Sequence, residues 1–169
     1  MAKFIKKNMI HIDLGIINPL VEQAKLSSRR RNNFNFHKEA SDPMHRMLHG
    51  MESDTYVQPH KHQDPDKREA FIILRGRVLV IEYNDEGDIR DWLLMDPFKG
   101  SYGVEIPPQT WHNLICIESG SVVYEVKDGP WDPADDKFFA GWAPREGEAG
   151  CREFSAGVLE RIGIVKSEQ

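Results

Sequence analysis

Gln58-Pro59-His60-Lys61-His62-Gln63-Asp64-Pro65-Asp66-Lys67-Arg68-Glu69-Ala70-Phe71-Ile72-Ile73-Leu74-Arg75-Gly76 is the stretch on which the reading of this chain turns. If Thr55 to His62 is a strand, its side chains alternate between two faces, so His60 and His62 look one way and Lys61 the other. Tyr56 and Gln58 then join the histidines on the inward face, and Val57 and Pro59 fall outside. A face this polar is costly to bury unless its groups are hydrogen-bonded or bound to a metal, so it is expected to line a site. After a polar connection, Glu69 opens an apolar run, Ala70 to Leu74, that reads as a second strand ending at Gly76. Far downstream, Pro107-Pro108-Gln109-Thr110-Trp111-His112 brings a third imidazole to the start of the apolar strand Leu114 to Ile117.

His60, His62, Glu69 and His112 make a reasonable ligand set for one divalent transition metal, because imidazole nitrogen and carboxylate oxygen suit Zn, Fe, Mn and Ni alike. Such a site keeps about one net positive charge and open coordination positions, which suit Lewis-acid chemistry or water activation. Two blander readings stand beside it. Either the set closes a structural zinc site, although those more often use cysteine, or His60, His62 and Glu69 form a metal-free acid/base group.

The rest of the chain supplies a frame for these residues. Its 169 residues suffice for one domain with a substantial core. The expected division is an N-terminal extension over 1–31, a barrel core over 32–128 and a C-terminal cap over 129–169. A formal charge of −5 gives no global attraction to nucleic acid or to an anionic membrane surface. With only Cys116 and Cys151 there is no disulfide framework. No signal-length or membrane-spanning apolar run is present, so a cytoplasmic location is expected.

Asn18-Pro19 reads as a helix start, with Pro19 to Leu26 helical and Met9 to Ile17 a short strand or packing segment. Arg29-Arg30-Arg31 is either a solvated charge run or a clamp for phosphate or carboxylate. Asn32 to His37 alternates in the manner of a sheet edge. In Met44 to His49, Arg46 either stays at the surface or meets an inward partner or ligand, while His45 and His49 read as surface or structurally satisfied histidines. Val78–Tyr83 with Ile89–Met95, and Trp111–Ile117 with Val122–Lys127, read as hairpins. Short strands divided by regular turn signals argue for an all-β barrel or sandwich. Phe138, Phe139, Trp142 and Pro144 are expected to plug one barrel end, and Phe154 to Ile164 to form a capping helix.

Gly50, His60, His62, Glu69 and Gly76, followed by Gly103, Pro107 and His112, resemble the two sequence motifs of the cupin superfamily. Six residues separate Glu69 from Gly76, as that pattern has it. Two positions depart from it: the connection from Gln63 to Arg68 is longer than usual, and Gln109 stands where a glycine is usual. The resemblance implies a jelly-roll, or double-stranded β-helix, barrel with a short N-terminal helix, a C-terminal capping segment and a metal held by the four residues.

From about Arg29 to Glu148 the chain further resembles the WbuC family of cupin-fold metalloproteins. The likeness is carried by Asn35-Phe36-His37, Tyr56 to His62, Ile106-Pro107-Pro108, Trp111-His112, Glu125-Val126-Lys127, Gly129-Pro130 and Trp142-Ala143-Pro144. It implies a bacterial protein of surface-polysaccharide (O-antigen) biosynthesis acting on a sugar or sugar nucleotide, with no established reaction. Tyr56, Gln58 and Glu125 are then catalytic candidates, Arg46 and Arg29 to Arg31 substrate-binding candidates, and homodimerisation is the expected association. The alternatives are an iron-dependent dioxygenase and a non-catalytic small-ligand binder.

Overall fold

In the computed structural model, residues 9–164 are described; the outermost parts of the expected extension and cap, 1–8 and 165–169, lie outside them. Two five-stranded antiparallel sheets face each other. One contains β1 (Arg31–Asn35), β2 (Met44–Met51), β4 (Glu69–Arg75), β7 (Gly103–Ile106) and β9 (Ser121–Asp128), in the order β1-β2-β9-β4-β7. The other contains β3 (His60–Lys61), β5 (Val78–Tyr83), β6 (Ile89–Met95), β8 (Trp111–Cys116) and β10 (Phe138–Phe139), in the order β10-β3-β8-β5-β6. The chain crosses from one sheet to the other at every connection except β1–β2, within the first sheet, and β5–β6, within the second, which is the arrangement of a jelly roll. The expected hairpin β5–β6 is present, whereas the expected pairing of β8 with β9 is not: the turn at 118–120 carries the chain across the barrel, so β8 pairs with β3 and β5 and β9 with β2 and β4.

The period of two in β5 explains how the layers stack. Val78 and Val80 point between the sheets and meet Phe71, Ile73, Leu114, Cys116 and Val123 in the barrel interior. Leu79 and Ile81 point out and are buried by α2 (Cys151–Ile162) and by Ala140 and Ala143. On the other side of the molecule, Ile17, Leu20 and Val21 of α1 (Leu14–Leu26) cover Leu48 and Val122 on the back of the first sheet. α1 lies so close at Gly50 that a Cβ there would sit 3.0 Å from the Leu20 side chain. Each sheet is therefore apolar on both faces where a helix covers it.

Three local expectations are corrected. α1 begins at Leu14, not Pro19: the Asp13 carboxylate accepts from Gly15 N at 2.9 Å and caps the helix, while Asn18 instead accepts from Arg75. Pro19 sits one turn inside, where it removes only one intrahelical donor. Thr55 to Pro59 is not a strand, and only His60 and Lys61 are paired. Proline has no N–H to give a ladder, and the carbonyls of Val57 and Pro59 are met by the Asn113 side chain and Ala140 N. Finally, Trp142 does not plug the barrel. It packs against Tyr83, Trp111 and Phe154 on the outer face of the second sheet, and Phe138–Phe139 extends that sheet as β10.

Candidate metal centre

His60 in β3 is the register partner of His112 in β8, His62 follows one residue beyond β3, and Glu69 opens β4 on the facing sheet. All four are buried, and one ligand atom from each lies within 4.8 Å of the others. The second sheet thus contributes three imidazoles and the first sheet the carboxylate.

Each ring is oriented through its Nδ1. His60 donates to the Gln58 carbonyl at 3.0 Å, His112 to the Thr110 carbonyl at 2.8 Å and His62 to the Asp136 carbonyl. A carbonyl only accepts, so each Nδ1 carries a hydrogen and each neutral ring turns a bare Nε2 lone pair toward the centre. His112 Nε2 lies 2.6 Å and His62 Nε2 3.3 Å from Glu69 Oε1, yet none of these three buried atoms makes a hydrogen bond of adequate direction. Lone pairs gathered this way call for a cation among them, so the residues fit a divalent metal ion.

Burial alone would raise the Glu69 carboxyl, but positive charge on the side of His112 and His62 outweighs it and holds the group well below the usual range, as a bound cation would. Burial, reinforced by Lys137 and His112, keeps His60 neutral. Both effects leave the first-choice ligand forms in place.

The two departures from the motif have structural answers. In the long connection, Lys67 folds inward and its ammonium reaches the Asp136 carboxylate at 2.9 Å and the Pro130 carbonyl at 2.7 Å. Gln109 adopts φ of 64°, the left-handed conformation that a glycine takes without cost. Its backbone N–H donates to the His62 carbonyl and its side-chain amide to Asp66, which ties the two motifs together.

The centre opens on a cavity of about 620 Å³, whose wall includes His60 and Glu69 and whose floor is Met51, Phe71 and Leu114 of the apolar core. Of the catalytic candidates, Glu125 lies in its wall, hydrogen-bonded to His49 at 2.7 Å. Burial would raise this carboxyl, but the His49 imidazole keeps it low. Tyr56 and Gln58 do not line the cavity: the Tyr56 hydroxyl donates to the Pro144 carbonyl, and the Gln58 amide approaches the Ala140 carbonyl. The strand whose alternation would turn them inward is absent, and Val57 takes the cavity side.

Among the arginines, Arg29 and Arg31 line the cavity and both bind Glu146, at 2.6 and 2.7 Å. Arg30 turns to Asp54 and Arg46 to Asp42, and neither lines the cavity. The sequence reading missed His49, taken for a surface or structural histidine, and also Asp136 and Lys137. For His49 a signal existed: it shares a face with Met47, two residues away on a strand.

A family model described as "Domain of unknown function (DUF6016)" matches residues 12–95. No curated protein matches the sequence. Among solved structures, the chain is similar to CapF in complex with the inhibitor 3-isopropenyl-tropolone, with a TM-score of 0.55 and 18% identity over 67% of this chain and 32% of that one. CapF from Staphylococcus aureus, a capsular polysaccharide assembling protein, gives 0.52 at 17% identity, again over 67% and 32%. L-ribose isomerase from Cellulomonas parahominis gives 0.51 at 14% identity over 69% of this chain and 72% of that one. The chain thus spans about a third of the length of CapF, and what it has in common with these structures is the fold of the barrel.

Proposed function

We propose that this chain is a metal-binding cupin in which His60, His62, Glu69 and His112 hold one divalent transition metal ion, and that it acts on a sugar or sugar nucleotide in bacterial surface-polysaccharide biosynthesis. The observation that carries the metal reading is the convergence of three carbonyl-anchored imidazoles on a buried carboxylate that they face without hydrogen-bonding. The sugar reading rests on the resemblance to the WbuC family. CapF and L-ribose isomerase, a capsular polysaccharide assembling protein and a sugar isomerase, point the same way.

When bound, the ion supplies Lewis acidity toward a carbonyl or hydroxyl oxygen of the ligand. The side chains around it do the rest. His49 Nε2 donates to Glu125, which orients the ring and leaves Nδ1 as its remaining polar atom, so the pair is the group for moving a proton at the cavity wall. The apolar floor excludes water beneath the ligand. Arg29 and Arg31, at the rim, are placed for a diphosphate that would share them with Glu146.

Elemental analysis of chain purified without added metal tests the metal reading. About one equivalent of a transition metal is expected in the wild type, with loss of most of it in His62→Ala and Glu69→Ala; equal and negligible metal in all three would overturn it. A panel of sugar nucleotides in thermal-shift assays tests the substrate reading, and the absence of any shift with metal present would reject the diphosphate. Oxygen uptake by anaerobically iron-loaded protein would favour the dioxygenase alternative.

A further inference from the structure

Three carboxylates, Glu69, Glu125 and Asp136, meet the inner cavity or its immediate backing, and three ammonium groups, Lys67, Lys127 and Lys137, accompany them. They are not evenly matched. Lys67 and Lys127 both bind Asp136, at 2.9 and 2.8 Å, and Glu125 is taken by His49. Lys137 has no hydrogen bond or ion pair among the described residues, although it lines the cavity and is exposed onto it.

With neutral imidazoles the inner groups cancel, and a divalent ion at the centre leaves an excess of two positive charges beside the cavity. An uncharged sugar would leave that excess unanswered, whereas an anion answers it at the point where Lys137 is unpartnered. The volume of about 620 Å³ is in the ordinary range for a small-molecule ligand. We propose that the cavity takes a small anionic ligand, a carboxylate or a phosphate ester, whose charged group is received by Lys137 while its other oxygens face His60, His62, Glu69 and His112. This rests on the metal-centre reading and narrows its substrate class, since it ranks sugar acids and sugar phosphates above neutral sugars.

The test is isothermal titration of zinc-loaded chain with galactose, galacturonate, galactose 1-phosphate and inorganic phosphate, with zinc content measured on the same samples. At least one anion is expected to bind ten-fold or more tighter than galactose, and the better of the carboxylate and phosphate arms identifies the group. Lys137→Met is expected to lose at least ten-fold in that affinity, and Lys137→Arg to keep most of it, with zinc content and the unliganded melting temperature unchanged in both. Galactose binding as tightly as the anions, no anion binding to stoichiometrically zinc-loaded protein, or wild-type anion affinity in Lys137→Met would each overturn the proposal while leaving the metal reading intact. Failure to take up zinc would count against the metal reading instead, and Lys137-dependent anion binding by that metal-free chain would still support the anion site.

Discussion

Asp136 receives two buried ammonium groups, Lys67 at 1% and Lys127 at 5% side-chain exposure. Burial would raise its carboxyl, but Lys127 and Lys67 together hold it below the usual range. Removing its charge strands two buried cations, so Asp136→Asn is expected to cost about 3–5 kcal/mol, the usual penalty for breaking a buried pair from one side. Urea denaturation of the metal-free variant measures this, and a loss under about 1 kcal/mol would show that water already screens the cluster. None of it was legible beforehand, because Lys67 and Asp136 sit in loops far apart in sequence and nothing in their local pattern marks them as buried. The convergence of His60, His62, Glu69 and His112 was legible because His60, Glu69 and His112 stand at or next to strand starts, which place side chains directly. Gln109 shows the limit of a motif: a non-glycine there can still take the left-handed turn, and its amide then holds Asp66, which no pattern of glycines foretells.

At the scale of elements, the strands whose apolar runs are flanked by turn residues were readable nearly to the residue, β5 and β6 above all. The errors fell where a side chain overrode the local pattern. Asp13 started α1 ahead of the Asn18-Pro19 signal, and Asp13→Ala is expected to lower stability by about 1 kcal/mol while Asn18→Ala changes it little. Chemical denaturation of the two variants decides between the caps. The aromatic segment after β9 was read as a plug because the sequence cannot say that β5 and β8 are apolar on both faces and need a cover outside. α2 supplies part of that cover through Val158 and Leu159. Leu159→Ala should cost about 2–4 kcal/mol by leaving a cavity over Leu79 and Ile81, and should leave metal content unchanged.

For the whole molecule, pH acts through two groups of opposite sense, Glu146 and His60. Burial would raise Glu146, but hydrogen bonds from Arg29 and Arg31 draw it down to about 2. Its folded pKa is below its unfolded value of 4.5, so its contribution is fully present above pH 4.5 and is lost as pH falls toward 2. His60 works in the opposite sense in metal-free protein. It stays neutral when folded, while the unfolded imidazole takes a proton below its ordinary 6.5, so stability begins to fall under that pH. Urea midpoints of the metal-free chain should therefore decline in two stages, one starting near pH 6.5 and one below 4.5. Glu146→Gln should make the second stage shallower and leave the first unchanged, with Glu69, Glu125 and Asp136 supplying what remains of it.

The His62 ring hangs from the backbone carbonyl of Asp136, and the side chain of that same residue is pinned by lysines from two other parts of the chain. A ligand atom of the centre and the segment running from Pro130 to Lys137 thus share a single anchor. Whatever steadies one must steady the other, and by the same free energy in both directions. Metal loading should slow amide hydrogen exchange across residues 130–137, a segment that supplies no coordinating atom itself, and loosening that segment should weaken metal retention in equal measure.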